Sequence, residues 1–479
     1  MSKPKIILLS EGEIRNIHDA TLEVLENTGI KFGGKKALAV LEEAGAKVDY
    51  EESKALIPGG LVEEALKRAP KIIKYCARNP KYDVLLDKKE THFITDGIDI
   101  PFIRDWETGE RRSSTNEDLA RWTRLSDYLD NIHFVWVTLA AGDVSPKMQS
   151  LTQLVTTLSN TEKHVEYEAH NATEAQYMIE IASAIAGGRD KLRENPIISA
   201  VQCPASPLIF DQGTVEASME FARAGIPVIY MDMPLTMETC PATLAGTLVI
   251  INAENLAGLV ISEFTKPGAP VVYSTCASIA DPSSGAAIES SGSSLLYLAS
   301  TQIAHYYGLP CEICGCGSIS KMVDAQAGYE MAMGINQNLP SGADIICGLG
   351  DLELGLCVSP EKLVIDNEIV GESSRFVRGF GIDDDSLALD VIHKVGPGGH
   401  FLAEKHTLKH FKELGHPQLG DVNAFETWKK RGSKSIYDVA KEKVKEILAT
   451  HKPEPIPVAA EEEISKILKR ARAEMLKKN

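Results

Sequence analysis

Val228-Ile-Tyr-Met-Asp-Met-Pro234 is a short apolar run that ends in a carboxylate and a proline. A helix-forming stretch follows it, and then comes a second run of the same kind, Val271-Val-Tyr-Ser-Thr-Cys276. Similar runs lie on both sides of this pair, at His133–Leu139, His164–Ala169, Ile197–Cys203, Cys311–Cys316 and Ala343–Gly348. Strands that alternate with helices in this way are typical of consecutive βαβ units.

The regular recurrence of these runs, with room for one more, predicts the α/β class and a closed (β/α)8 TIM barrel. A bare barrel takes about 250 residues, and this chain has 479. We therefore expect three parts. Residues 1–130 form N-terminal helices and a small antiparallel sheet packed on the barrel, 131–396 form the barrel, and 397–479 form a C-terminal helical extension.

Both ends of the chain carry local signals. Ser10 and Glu13 have the spacing of a capping box, which predicts the start of a helix. The last predicted helix, Glu461–Lys478, has an apolar face, so we expect a homo-oligomer. Four short runs in the N-terminal part are predicted to form the small antiparallel sheet, namely Lys71–Ala77, Tyr82–Leu86, Thr91–Thr95 and Ile103–Trp106.

Composition excludes several classes of partner. The net charge of −17 argues against binding nucleic acid or an anionic lipid surface. The odd number of cysteines, nine, most of them inside apolar runs, indicates free thiols in a reducing cytoplasm. The opening Met1–Leu9 is too short for a secretory signal, and no apolar stretch is expected to reach the ~20 residues of a membrane span.

Ionisable residues line one face of the predicted strand Lys163-His-Val-Glu-Tyr-Glu-Ala-His170. Since alternate residues of a strand share a face, His164, Glu166, Glu168 and His170 point the same way. An unpaired buried charge costs several kcal/mol. We therefore expect one face of this strand to meet a polar cavity, or its glutamates to pair with Lys or Arg inside the barrel.

Aromatic residues and carboxylates share faces on other strands. Tyr230 lies beside Asp232, and Glu312 shares a face with Cys314. A cation with methyl groups is attracted to aromatic faces and to a nearby carboxylate. A quaternary ammonium cage is therefore a plausible use of the aromatic residues near the strand ends, although each could equally pack in the core: Trp136, Tyr167, Phe210, Tyr230 and Tyr273.

The closely spaced cysteines Cys311, Cys314 and Cys316 invite a zinc interpretation. However, a Cys-x-x-Cys spacing within a strand places its two thiols on opposite faces. We therefore favour structural thiols and expect no tightly bound metal, with a zinc site on Cys311, Cys314 and a histidine as the alternative.

A series of short motifs is spread along the chain in a fixed order. They are Leu9-Ser-Glu-Gly-Glu-Ile14, Tyr75-Cys-Ala-Arg-Asn-Pro80, Asn252-Ala-Glu-Asn-Leu-Ala-Gly258, Lys266-Pro-Gly-Ala-Pro270, Tyr306-Tyr-Gly-Leu-Pro310, Asp324-Ala-Gln-Ala-Gly328, Asp366-Asn-Glu368 and Val395-Gly-Pro-Gly-Gly-His-Phe-Leu402 with His406. In their number and order these motifs resemble the trimethylamine:corrinoid methyltransferase family, and the resemblance runs from about residue 5 to residue 450.

The resemblance implies a TIM barrel that moves a methyl group from a methylated amine to cob(I)alamin carried by a partner corrinoid protein, in one-carbon metabolism such as methanogenesis. Archaeal trimethylamine enzymes of this family carry pyrrolysine late in the barrel. The comparable stretch here, Ile345-Ile-Cys-Gly-Leu-Gly350, holds ordinary residues. The chain therefore looks like the branch lacking pyrrolysine, whose members use quaternary amines.

Glycine betaine is the favoured substrate on this basis, with proline betaine, carnitine or trimethylamine as alternatives. A betaine carries a fixed positive nitrogen and loses a methyl group to leave a neutral amine, so no general acid is required. The remaining alternatives are a zinc-dependent methyltransferase and a barrel that binds a betaine without catalysis.

Candidate site residues follow from these expectations. Asp232 and Glu312 are candidates to face the ammonium charge, and Tyr230, Tyr273 and Phe210 are candidates for its walls. A clamp for the betaine carboxylate could come from one of several groups, namely His164, His170, His400, Arg378 or the backbone amides near Gly348 and Leu349. His400 and His406 could instead cap the barrel structurally.

Overall fold

The computed structural model describes residues 4–97 and 99–475. Its centre is an eight-stranded parallel sheet in which spatial order follows chain order. The strand Ile345–Leu349 pairs with His92–Thr95 through Ile345 and His92, and a bridge between Ile94 and Phe134 joins His92–Thr95 to the residue that precedes Val135–Trp136. The sheet thus closes into the predicted barrel. Its strands are β1 His92–Thr95, β2 Val135–Trp136, β3 Val165–Glu168, β4 Ile198–Gln202, β5 Val228–Asp232, β6 Val271–Thr275, β7 Cys311–Cys314 and β8 Ile345–Leu349.

The first barrel strand lies where the sequence predicted a small antiparallel sheet. All four residues of His92–Thr95 are buried, and the strand pairs in parallel with β8. Assigning Thr91–Thr95 to an antiparallel sheet, with the barrel beginning at residue 131, was therefore wrong. Periodicity cannot tell a buried strand of this length from any other short apolar run.

A helix follows every barrel strand, which completes the (β/α)8 pattern. The helices are Asn116–Tyr128, Pro146–Asn160, Ala172–Ala186, Gln212–Ala224, Leu244–Thr265, Ser291–Tyr306, Ala325–Asn338 and Pro360–Arg378, with the short additional helix Arg189–Glu194 and the 3-10 turn Leu339–Ser341.

Leu244–Thr265 is apolar on nearly all sides because it is buried on nearly all sides. It packs against β5 and also against N-terminal helices. Its 22 residues make it long and apolar enough to cross a membrane by length and composition, yet 72% of its apolar window is buried inside the protein. The expectation that no apolar stretch reaches this length is wrong for this helix, and its packing explains its composition.

The N-terminal part covers one side of the barrel. Its first helix begins at the predicted capping box, in which Glu13 N–H bonds to Ser10 and Ser10 N–H bonds to Glu13. Its elements are the helices Glu11–Glu23, Lys35–Ala44 and Gly59–Arg68, the π-helical turn Val24–Thr28, the 3-10 turn Pro80–Tyr82 and the strands Ile30–Phe32, Lys47–Asp49 and Lys54–Leu56, which join Ile209–Phe210 in a sheet.

Two small sheets are built from loops that follow the barrel strands. They are Leu235–Thr236 with Ser278–Ala280 and Ala287–Ile288, and the hairpin Phe102–Arg104 and Arg111–Ser113 with Asp351–Leu352 and Cys357–Val358.

The C-terminal part is helical, as predicted. Its last described helix packs on Ala172–Ala186 and Pro146–Asn160 of the barrel layer, and residues 476–478 of the predicted terminal helix lie outside the described residues. The homo-oligomer remains a prediction. Two short helices, Asp384–Leu387 and Leu389–Val395, follow the last barrel helix and lie before the predicted boundary at residue 397. The helices after that boundary are Lys405–His410, Phe425–Lys430, Ile436–Thr450 and Val458–Met475, with the 3-10 turn Phe411–Leu414.

An antiparallel hairpin, Ile73–Tyr75 with Val84–Leu86, closes the barrel at the amino ends of its strands. Tyr75 is fully buried. Its ring stacks on His164 at the start of β3, with centroids 4.3 Å apart, and meets Phe134 edge to face. The hairpin and the barrel interior therefore share one apolar core.

We predict that Tyr75→Ala lowers the free energy of unfolding by about 3–5 kcal/mol, because it leaves a cavity in this shared core. Denaturant unfolding followed by circular dichroism measures the change. The matched control is Tyr50→Ala, since Tyr50 is 42% exposed and its loss should cost no more than about 0.5 kcal/mol. Equal losses in the two variants would contradict the role of the hairpin as a plug.

Candidate active site

Alternate residues of each strand divide between the barrel interior and the layer that faces the helices. On β5, Ile229 and Met231 belong to the interior core, whereas Val228 and Tyr230 belong to the core between barrel and helices. The interior core collects residues from most of the strands: Ile94, Phe134, Trp136, Val201, Ile229, Met231, Val272, Ile345 and Cys347.

A cavity of about 230 Å³ lies at the carboxyl ends of the strands, where barrel enzymes keep their active sites. It is smaller than the ~300–1,000 Å³ typical of ligand pockets, so it suits a small molecule. The lining residues are Asp96, Gly97, Trp136, Met231, Met233, Cys276, Ser278, Glu289, Cys314, Gly317, Gly348, Asp351, Leu354 and Gly355.

Three carboxyl groups line this cavity, and we call Asp96, Glu289 and Asp351 the acidic ring. Asp351 accepts hydrogen bonds from the backbone N–H groups of Ser318 (2.9 Å) and Gly355 (3.0 Å). Burial raises the pKa of Asp96 to about 6 and that of Glu289 to about 8, and it holds the pKa of Asp351 well above the usual range. A bound cation would favour the ionised forms.

Trp136 provides an aromatic wall. Its side chain is 1% exposed, and its Nε1–H has no hydrogen-bond partner among the described residues. The backbone of Gly97 lies against the indole, since a Cβ at Gly97 would be 2.0 Å from Trp136 Cδ2. An indole is the aromatic group that attracts cations most strongly.

Sulfur atoms form much of the remaining surface. Met231, Met233, Cys276 and Cys314 line the cavity, and Cys314 Sγ lies 3.0 Å from Cys347 Sγ. The pKa values of these three thiols are raised well above the usual range by burial and by contact with one another. The thiols are therefore neutral, and with the thioethers they offer a soft, weakly polar surface to methyl groups.

Of the five aromatic residues predicted for the cage, Trp136 lines the cavity, whereas the others belong to the core between barrel and helices: Tyr167, Phe210, Tyr230 and Tyr273. Asp232 accepts hydrogen bonds from Thr275 Oγ1 (2.6 Å) and from Asn255 Nδ2 (2.8 Å) of the adjacent helix. Tyr230 bonds Ser262 Oγ at 2.7 Å. Strand alternation shows which residues share a face, but it does not show which face points inward.

Other predicted residues belong to the same outer core. Tyr273 donates to Asn252 Oδ1 at 3.4 Å, Phe210 stacks on Phe32 with centroids 5.2 Å apart, and Leu349 packs with them. None of the three lines the cavity. Gly348 does line it, at φ +113°, because the register of β8 shifts at this point.

Glu312 and His164 lie inside the barrel without lining the cavity. Glu312 faces Glu166, which accepts a hydrogen bond from Ser199 Oγ at 2.9 Å. Burial raises the pKa of both carboxyls, and the like charge of Glu166 raises that of Glu312 further. His164 Nδ1 donates to the carbonyl of Cys76 at 2.8 Å, and burial lowers its pKa to about 4. Glu166 thus contacts Ser199 and Glu312 and does not line the cavity, so neither the expected polar cavity nor the expected Lys or Arg partner is found at this residue in the described part of the chain.

The remaining histidines lie away from the cavity. The side chain of His170 is 56% exposed and lies 4.0 Å from Glu168. His400 is exposed and His406 is half-buried in the C-terminal part, and Arg378 is the last residue of its helix. The predicted carboxylate clamp is therefore not assembled at the cavity from these side chains.

The zinc alternative on Cys311 and Cys314 is wrong in geometry. Cys311 Sγ points to Thr301 Oγ1 of the helix layer, whereas Cys314 Sγ points into the barrel. Among residues 4–97 and 99–475, the acidic and histidine clusters whose ligand atoms converge contain no cysteine: Asp99, Glu168 and His170, and Asp385, His406 and His410.

Sequence reasoning missed the acidic ring, although two of its members carried a signal. Asp96 follows β1 directly and Asp351 follows β8 after Gly350, so both stand at strand ends. Recognition of β1 as a barrel strand would have drawn attention to Asp96. Glu289 comes from a loop beyond β6 and had no local signal.

Comparisons with known proteins agree with this geometry. A family model described as trimethylamine methyltransferase (MTTB) matches residues 1–476. The chain is 36% identical to a trimethylamine methyltransferase MttB of Desulfitobacterium hafniense, covering 94% of this chain and 90% of the relative. It is also 36% identical to a glycine betaine methyltransferase of Desulfitobacterium hafniense, covering 89% of each chain.

More distant matches point the same way. A trimethylamine methyltransferase MttB of Methanosarcina barkeri is 33% identical, with 94% of this chain and 92% of the relative covered. The solved monomethylamine methyltransferase MtmB of Methanosarcina barkeri has a TM-score of 0.54 at 10% identity, over 99% of this chain and 88% of that chain. The latter likeness concerns the fold alone.

We predict that Gly97→Ala displaces Trp136, because the new methyl group would overlap the indole. The expected result is a changed near-ultraviolet circular dichroism spectrum and a loss of about 1–3 kcal/mol of stability. Gly60→Ala is the control, since a Cβ there meets nothing within 4 Å. An unchanged spectrum of Gly97→Ala would contradict the packing of the indole on residue 97.

We also predict a pH effect of the carboxyl pair Glu166 and Glu312. The folded protein holds protons that the unfolded chain releases, so stability falls as the pH rises from about 4.5 through the raised pKa values. Glu312→Gln should therefore flatten the pH dependence and stabilise the protein by at least about 1 kcal/mol at about pH 8. Thermal unfolding across this pH range tests it, with the exposed Glu51→Gln as control. A Glu312→Gln profile parallel to wild type would refute the assignment.

Proposed function

The chain belongs to the trimethylamine methyltransferase family and is a methyltransferase, and on this premise we propose that it moves a methyl group from a methylated amine to the cobalt of a separate corrinoid protein. The observation that carries the proposal is a small cavity at the barrel mouth that combines carboxyl groups, an indole and sulfur atoms. This is the surrounding that a methylated ammonium group requires.

The acidic ring and Trp136 would bind the ammonium group and point one methyl group outward. Reduced cobalt of the partner's corrinoid supplies the nucleophile that accepts the methyl group. The leaving group is a neutral amine, so no residue of the chain has to donate a proton. Because the positive charge is lost during transfer, contacts that are too tight would stabilise the bound substrate more than the transition state. Since the carboxyls of the acidic ring are partly protonated, their attraction for the ammonium group is moderate.

The cavity is large enough for the amine and too small for the corrinoid. A space of about 230 Å³ holds a small amine and leaves no room for a corrinoid macrocycle. The macrocycle would therefore approach from outside, next to Met233, whose side chain is 43% exposed at the rim. The corrinoid would remain with its own protein, which fits a chain that provides positioning alone.

The substrate proposed from sequence is a quaternary amine, with glycine betaine first and proline betaine, carnitine and trimethylamine as further candidates. A glycine betaine methyltransferase among the relatives supports a quaternary amine as the substrate class. All nine cysteines are free, which supports the proposed cytoplasmic location.

The test mixes the purified protein with reduced cobalamin, or with a reduced corrinoid protein, and adds methylated amines one at a time. We expect one quaternary amine to consume the Co(I) absorbance in a reaction that requires this protein. Trp136→Ala should slow the reaction by about 10- to 100-fold, and Tyr50→Ala should not. Binding of an amine by calorimetry without loss of Co(I) would favour the alternative of a non-catalytic binding barrel.

A further inference from the structure

The charges around the cavity are unbalanced. The described residues that line it include three carboxyl groups and no lysine, arginine or histidine. The buried cation Lys362 acts on Asp96 and Asp351 from outside the cavity, but its Nζ is bonded to Asp366 Oδ2 at 2.6 Å. Lys362 is also 1% exposed, so it is not free to hold a ligand.

Because of this imbalance of charge, the cavity should bind two kinds of quaternary amine with different affinities. A betaine carries a carboxylate close to its ammonium group, and that carboxylate would meet carboxyl groups and neutral thiols inside a small space. A like charge without a cationic partner is disfavoured in such a site. A methylated ammonium without a carboxylate meets only opposite or neutral groups.

We propose that Asp96, Glu289 and Asp351 make this site selective for quaternary ammonium ions that carry no carboxylate, such as tetramethylammonium or choline, over betaines. The inference rests on the proposed function, because it concerns the substrate of the same cavity. It reverses the order of substrates that the family resemblance suggested. Glu289 is the best member to test, since it comes from a loop and its one described hydrogen bond is from Tyr297 at 3.2 Å.

Calorimetry at about pH 8.5 compares tetramethylammonium, choline and glycine betaine without any corrinoid, because Asp96 and Glu289, with pKa values of about 6 and about 8, are mostly ionised there. We expect the two carboxylate-free ions to bind at least about tenfold more tightly than glycine betaine. Tighter binding of glycine betaine would overturn the inference, and the proposed function would still stand if methyl transfer from betaine occurs.

Glu289→Gln tests the residue directly. It should weaken binding of tetramethylammonium by at least about tenfold and reduce the discrimination against glycine betaine, whereas Glu51→Gln should change neither value. Asp96→Asn provides the same test if Glu289→Gln does not fold, as judged by circular dichroism. Unchanged discrimination in a folded ring variant would overturn the role of the ring.

Methyl transfer from these three amines, and from proline betaine, carnitine and trimethylamine, is measured separately by loss of Co(I) absorbance. Absence of transfer from every amine would reject the proposed function. Binding in the predicted order without transfer would leave the selectivity inference standing on its own.

Discussion

Closure of the short parallel strands into a barrel governs the rest of this structure. Each strand then has one face for a narrow interior and one face for the helices, and consecutive residues are assigned to opposite environments. The interior is filled in layers. Tyr75 of the hairpin closes the amino end, Glu166 and Glu312 occupy the middle, and sulfur atoms lie below the cavity. A shift of one residue in register would exchange Met231 for Asp232 and remove the site.

Burial raises the pKa of two groups of carboxyls inside the barrel, and the consequence differs between the groups. Burial raises the pKa of Glu166 to about 7 and that of Glu312 well above its usual range, and neither residue lines the cavity. Protonation therefore lowers the free-energy cost of burying these two carboxyls. Burial also raises the pKa values of the acidic ring. These carboxyls line a cavity, so a cation that binds there can stabilise their ionised forms, which burial alone disfavours. The acidic ring lowers the stability of the folded protein, because its buried carboxyls meet no cationic side chain among the described residues that line the cavity.

Loops contribute as much to the cavity as the strands do. Glu289 directly follows Ala287–Ile288 in one small sheet, and Asp351 belongs to Asp351–Leu352 in the other. Met233, Ser278 and Leu354 also come from segments beyond the strands. Rigid strands place Trp136 and Gly348, and paired loop segments bring the carboxyls to them. Such an arrangement permits a change of substrate through loop residues without a change of barrel.

The sequence by itself determined the barrel, the order of its elements and the family, because apolar periodicity and short motifs are local properties of the chain. It also determined that His164, Glu166 and Glu168 share one face. Tertiary structure alone decided that Asp232, Tyr230 and Tyr273 face helices, that His92–Thr95 is a barrel strand, and that Glu289 joins Asp96 and Asp351. The physical reason is that alternation fixes relative orientation within a strand, whereas barrel closure and loop packing choose which face becomes the interior and which distant carboxyls meet there.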